Sequence, residues 1–160
     1  KQIAVIKKAA ELQTSDMAKI YGIHLEGIFL NPEKSGIHNS NLFMMPTVEN
    51  YKKIEDDFIK IVTIAPEFDT NGELRKYLTS KGVKVQAGHC IGGDLTYCTG
   101  ATHLFNAMSG ITHRGTSTVL SALNDDNIYV EIIADGIHLS DDILKLIFKT
   151  PFAMLKATGR

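Results

Sequence analysis

Gly100–Met108 reads GATHLFNAM, and the rest of the chain is organised around it. A small-residue approach, Gly100 to Thr102, fits a minimal strand that stops at His103. Two other stretches share that character: Gly22–Phe29, GIHLEGIF, which carries Glu26, and Gln86–Cys90, QAGHC, which carries His89. Each is a short apolar run that stops at a metal-competent side chain beside a glycine. One glutamate and two histidines are the oxygen and nitrogen donors that zinc prefers in catalytic sites, where three protein ligands leave a fourth position for water.

Working outward, periodicity predicts an opening helix over Lys1–Lys19, a short strand over Tyr21–Leu25 and a loop from Leu30 to Pro46. Thr47 suits the N-cap of a helix whose apolar face is Tyr51, Ile54 and Phe58. The β-branched run Ile59–Ala65 is a strand closed by Pro66 and Glu67. Asn71 is expected to cap a helix through Leu74, Tyr77 and Leu78, with Gly82 as its stop. Strands follow over Val83–Gly88 and Ile128–Ala134, with a short helix over Ser117–Leu123 between them. Ser140 caps a last helix, Asp141–Lys149, and the run Pro151–Arg160 carries no clear pattern.

Strand alternating with helix implies parallel strands joined by crossovers. Glu26, Glu67, His89, His103 and Asp135 all fall at or just past expected strand carboxyl ends. Active sites are built there in (β/α)8 barrels and in doubly wound sheets. No GxGxxG or phosphate-loop motif occurs. About five strands are legible, whereas a complete barrel needs eight. The expected fold class is α/β, either part of a barrel or a smaller α/β domain.

The 160 residues suffice for one domain with its own core, at 44% apolar and 22% charged. A net charge of −1 supplies no broad field for nucleic acid or acidic membranes, so neither is an expected partner. No apolar run approaches a membrane span, and the start lacks the long apolar core of a signal peptide. Two cysteines, Cys90 and Cys98, argue against a disulfide framework and fit a reducing cytoplasm.

An ordered set of motifs resembles the N-acetylglucosamine-6-phosphate deacetylase family of the amidohydrolase superfamily. The set is His24-Leu25-Glu26-Gly27, Gly36-Ile37-His38, Val62–Glu67, Gly88-His89, Thr102–Met108, His113-Arg114 and Ala134–His138. The resemblance implies a metal-dependent (β/α)8 TIM barrel, here with several strands missing. Residues 1–149 would be its central portion, and 150–160 an unassigned tail or discontinuous segment. It also implies a homodimer that removes acetate from N-acetylglucosamine 6-phosphate in amino-sugar catabolism.

By the same resemblance, Glu26, His89 and His103 are the metal ligands, for one divalent ion. Zn²⁺ fits best, and Fe²⁺, Co²⁺ or Mn²⁺ suit the same donors. His38 matches the histidine that bonds the acetamide carbonyl or the tetrahedral intermediate. Asn106 and Ala107 match the sugar-phosphate segment. Arg114 and His138 match further substrate contacts, the arginine reaching the site across the dimer.

Departures from the family pattern are specific. Nothing after Phe148 matches the motif of its catalytic aspartate, and the early His-x-His pair is absent. Ile28 replaces a proline, Gly115-Thr116-Ser117 replaces Glu-Pro-Gly, and the His89-to-His103 interval leaves little room for a crossover helix. The chain therefore reads as a fragment, and the alternative function is a barrel relative that binds a sugar phosphate without turnover. Other residues keep two readings. His24 packs or supports the site, Glu67 is a site residue or ties loops together, and Asp135 orients His138 or caps a loop. Cys90 is a soft ligand or a small buried filler, and His113 lies at the surface.

Overall fold

The β-branched runs become one parallel sheet in the computed structural model, which describes residues 2–150 and 154–157. Its strands are β1 (Ile23–Phe29), β2 (Ile59–Ile64), β3 (Lys84–Ala87), β4 (Gly100–Ala101), β5 (Tyr129–Ile132) and β6 (Met154–Ala157). Their order across the sheet is β1-β2-β3-β4-β5-β6. A doubly wound sheet reverses direction at a switch point. This sheet never does, which is the order of a (β/α)8 barrel wall. The fold is α/β, part of such a barrel.

Helix α1 (Gln2–Glu11) precedes β1, and α2 (Val48–Lys52), α3 (Glu73–Ser80), α4 (Thr118–Leu123) and α5 (Asp141–Lys149) fill four of the five crossovers. Thr47, Ser117 and Ser140 cap α2, α4 and α5, accepting from the amides of Asn50, Leu120 and Ile143. The core lies between helices and sheet, around Val62, Ile64, Leu74, Leu78, Val85, Val119, Val130 and Ile147.

The crossover from β3 to β4 has no helix. Arg75 of α3 holds it instead. Its side chain is 1% exposed and its guanidinium donates to the carbonyls of Asp94 and Thr96, and to that of Asp69 at 2.9 Å. The Asp69 carboxylate balances the charge at 3.1 Å and also accepts from the amides of Leu74 and Arg75. Asp69, not Asn71, thus closes the start of α3. The N-cap residue is Gly72, at φ 65°, with no side-chain bond to the helix.

Three further expectations shift. Helix α1 stops at Glu11. Strand β1 runs to Phe29, because Ile28 and Phe29 prolong the apolar run past Leu25, so Glu26 sits inside the strand and not beyond it. Within the run that carried no pattern, β6 pairs in register with β5, Met154 beside Tyr129 and Ala157 beside Ile132. Pairing with a neighbour decides that strand where intrinsic preference does not.

Replacing Arg75 by Met would leave the Asp69 charge buried and the β3–β4 loop unanchored. Urea unfolding should show a loss of about 3–5 kcal/mol, the cost of breaking a buried pair.

Candidate metal centre

Strand β1 is irregular where Glu26 leaves it. Leu25 pairs with Val62 and Phe29 with Ile64, so β1 spends two residues more than β2 over the same span. Such bulges re-aim side chains and collect beside functional sites. Gly27, at φ +119°, completes the turn of the backbone, and a Cβ there would stand 3.0 Å from His38 Nδ1.

His89 and His103 follow β3 and β4 after one intervening residue each, Gly88 and Thr102, and both occupy left-handed backbone, at φ 49° and 35°. Phe105 and Ala107 do the same at 77° and 51°. Non-glycine residues rarely adopt this conformation, which costs energy and clusters where function demands it. The two loops are tied by a parallel bridge between Cys90 and Met108, with the Ser109 amide donating to the Cys90 carbonyl at 3.1 Å.

Three side-chain atoms converge as a result. His89 Nε2 lies 2.9 Å from Glu26 Oε1, His103 Nε2 lies 3.0 Å from the same oxygen, and the two imidazole nitrogens are 3.0 Å apart. His89 Nδ1 donates to the carbonyl of Lys34 at 2.6 Å. A carbonyl only accepts, so Nδ1 carries the hydrogen and Nε2 of the neutral ring presents its lone pair to the cluster. The single hydrogen that His103 Nε2 can bring must serve two acceptors at once, Glu26 Oε1 and His89 Nε2, whereas a divalent cation takes the lone pairs of all three. His103 Nδ1 is buried without a hydrogen-bond partner among the described residues.

His38 stands at the rim. Its Nε2 is 3.9 Å from Glu26 Oε1, and its ring meets that of His89 edge-on at 5.0 Å between centroids. Glu26, His38 and His89 offer ligand atoms within 4.8 Å of one another, so His38 is also metal-competent. Burial raises the Glu26 carboxyl, but the imidazoles of His103 and His89 beside it outweigh burial and hold the group well below the usual carboxylate range. Burial lowers His103, and the bond and charge of Glu26 reverse that to leave it raised.

The other expected residues scatter around this triad. Asn106 turns its amide nitrogen to the carbonyls of His103 and Leu104, at 3.3 and 3.4 Å, and Ala107 follows in the same turn. Arg114 is exposed and makes no side-chain hydrogen bond or ion pair among the described residues. Asp135 has both of its expected roles: it accepts from the amides of Ile137 and His138 and from His138 Nδ1 at 2.8 Å. Those two amides are the main reason its carboxyl is held low. His113 is exposed.

Glu67 ties loops. Its Oε1 accepts from Asn31 Nδ2 and the Ile91 amide, joining the segments after β1, β2 and β3. Cys90 is fully buried with Sγ 3.3 Å from Thr118 Oγ1, the setting of a small filler, and burial pushes its thiol up to about 12. The Lys34 carbonyl, which sets the His89 tautomer, left no mark in the sequence because any residue carries one. The left-handed histidines were equally hidden, since only glycine advertises that backbone.

Fold and site define a class: part of a (β/α)8 barrel with a metal-competent cluster at the carboxyl ends of its strands. The particular likeness is to N-acetylglucosamine-6-phosphate deacetylase. The Bacillus subtilis enzyme of that name is 36% identical over 151 residues, covering 88% of this chain and 38% of the relative. That of Caenorhabditis elegans is 34% identical over 160 residues, covering 89% and 38%. An aspartate-to-alanine mutant of the Mycobacterium smegmatis deacetylase, solved in complex with N-acetyl-D-glucosamine-6-phosphate, superposes with a TM-score of 0.84 at 28% identity, over 98% of this chain and 42% of that one. No family model matches. The chain spans about 38% of the length of the curated relatives it matches. Among the described residues no helix is long and apolar enough to cross a membrane.

In metal-free protein, imidazole NMR should show His103 titrating above its ordinary 6.5. A raised folded value means its stabilising contribution is full below 6.5 and lost as pH rises through the folded midpoint. Glu26→Gln removes the bond and the charge, leaving burial to dominate, so the midpoint should fall.

Proposed function

We propose that this chain carries the metal and sugar-phosphate half of an N-acetylglucosamine-6-phosphate deacetylase, with Glu26, His89 and His103 as ligands of one divalent ion, Zn²⁺ by preference. The convergence of Glu26 Oε1, His89 Nε2 and His103 Nε2 within 3.0 Å carries the reading. The donors fit the ion: two imidazoles and a carboxylate, one imidazole already fixed with its lone pair inward by the Lys34 carbonyl. When bound, the ion would supply Lewis acidity and a water of lowered pKa.

The chain's own residues do the rest. His38 stands close enough to the triad to donate to an amide oxygen held there, and so to stabilise charge that develops on it. Asn106 and Ala107, locked in the strained turn after His103, present backbone and carboxamide to the sugar phosphate. His138, fixed by Asp135 through Nδ1, offers Nε2 to a substrate hydroxyl or phosphate. Arg114, exposed and without an internal partner among the described residues, suits a bidentate grip on phosphate from a neighbouring subunit. Homodimers therefore belong to the proposal, as does a cytoplasmic location, which two buried free cysteines favour.

Metal analysis and acetate release from N-acetylglucosamine 6-phosphate test this in the protein that contains these residues. One divalent ion per chain, chelator-sensitive, and its loss in His103→Gln with at least a hundredfold fall in turnover are the expected results. Full metal content and activity in His103→Gln would overturn the ligand assignment. Binding of glucosamine 6-phosphate without acetate release would replace the enzyme by a non-catalytic relative.

A second expectation concerns Arg114. Arg114→Ala should raise KM for the phosphorylated substrate at least tenfold, about the value of one charge-assisted pair. Activity on the same sugar without phosphate should barely change.

A further inference from the structure

Beneath the triad, a line of polar side chains crosses the sheet on the face that bears Glu26. His24 Nε2 lies 2.7 Å from Thr63 Oγ1, which lies 2.8 Å from Thr102 Oγ1. Thr102 Oγ1 donates to Gln86 Oε1 at 2.8 Å, and Gln86 Nε2 donates to Glu131 Oε1 at 2.9 Å. Four of the five are buried: Thr63, Gln86, Thr102 and Glu131.

The direction of every bond follows from its end. The Glu131 carboxylate only accepts, so Gln86 turns its amide nitrogen to it and its oxygen to Thr102. Thr102 must then give its hydrogen to Gln86 and accept from Thr63. Thr63, its hydrogen committed, must accept from His24, so His24 Nε2 carries a hydrogen. All dipoles run one way, toward the carboxylate, and bonds so aligned reinforce one another.

Two glycines make room for it. A Cβ on Gly88 would stand 2.8 Å from Thr63 Cγ2 and 3.0 Å from Thr102 Cβ, so its absence opens the gap in which the two threonines meet above the end of β3. A Cβ on Gly100 would stand 3.2 Å from Gln86 Cγ, where Gln86 passes over β4 to reach Glu131 on β5. Neither glycine has a φ that would itself demand one.

Each strand that positions a ligand of the proposed triad also positions a member of this line: His24 on β1, Gln86 on β3 and Thr102 after β4. His24 is two residues before Glu26, Gln86 is three residues before His89 with Gly88 between the threonines and that histidine, and Thr102 directly precedes His103. We propose that the chain His24–Thr63–Thr102–Gln86–Glu131 is a positioning layer that fixes the lateral spacing of the strand ends, and thereby holds Glu26, His89 and His103 at ligating distance. Its consequence for metal rests on the ligand assignment above; the hydrogen-bond chain itself does not.

Thr63→Val keeps both branches of the side chain and removes the central hydroxyl, whereas Thr63→Ser keeps the hydroxyl and drops the methyl. Cobalt(II) titration of each variant, followed by ligand-field absorption, reads the site directly. Long-range proton–nitrogen spectra of His24, His89 and His103 in metal-free protein read it without any ion. The valine variant should bind cobalt about tenfold more weakly, with an altered spectrum, and shift the nitrogens of all three imidazoles. The serine variant should match the parent in both.

Parent-like cobalt affinity and imidazole spectra in Thr63→Val would overturn the positioning role, as would equal damage in both variants, which would make packing the cause. Should Thr63→Val not fold, Gln86→Met cuts the same line further along and carries the same expectations. Should the parent take up no cobalt, the ligand assignment falls. The metal-free spectra then decide the positioning role alone: shifted nitrogens in Thr63→Val support it, unchanged ones overturn it.

Discussion

Three lone-pair donors from three parallel strands meet within 3.0 Å of one another, and much of the local structure is arranged to hold them there. Left without an ion, the meeting is poorly satisfied, since one hydrogen on His103 Nε2 must serve both the carboxylate oxygen and His89 Nε2. The backbone bears part of the cost, with His89 and His103 both in left-handed conformations and β1 bulged at Glu26. Strain of this kind persists only where surrounding structure over-determines it. Here the Lys34 carbonyl, the Cys90–Met108 bridge and the Asn31–Glu67–Ile91 linkage supply that surrounding structure.

The sheet order explains why these residues meet at all. Consecutive parallel strands place β1, β3 and β4 within four successive positions of the sheet, β2 between the first two, with their carboxyl ends on one side. Three motifs separated by 63 and 14 residues in the chain are thereby gathered at one edge. The crossover between β3 and β4 shows how little chain this needs. With no helix to fill it, the loop is held by one buried guanidinium, and His89 and His103 still arrive in register.

Much of this was legible in the residues. Apolar runs that stop at His89 and His103 marked two strand ends, whereas Glu26 lies inside β1, and the caps Thr47 and Ser140 are where side-chain chemistry puts them. What escaped was written in the backbone or in long-range pairing. Asn71 looks like a cap from its neighbours, yet Asp69 does the work because Arg75 pulls it into the core. The strand Met154–Ala157 has no pattern of its own and exists through β5. Arg114 and His138 share motifs with the ligands in sequence, yet among the described residues no hydrogen bond or ion pair joins either to the triad: His138 pairs with Asp135 and Arg114 is exposed.

X-ray absorption at the metal edge of the zinc-loaded protein tests the centre most directly, because it reads the donor atoms without reference to turnover. The expected first shell is two imidazole nitrogens with carboxylate and water oxygens at about 2.0–2.2 Å, and no sulfur. A sulfur shell near about 2.3 Å, or a shell without imidazole, would contradict the assignment of Glu26, His89 and His103.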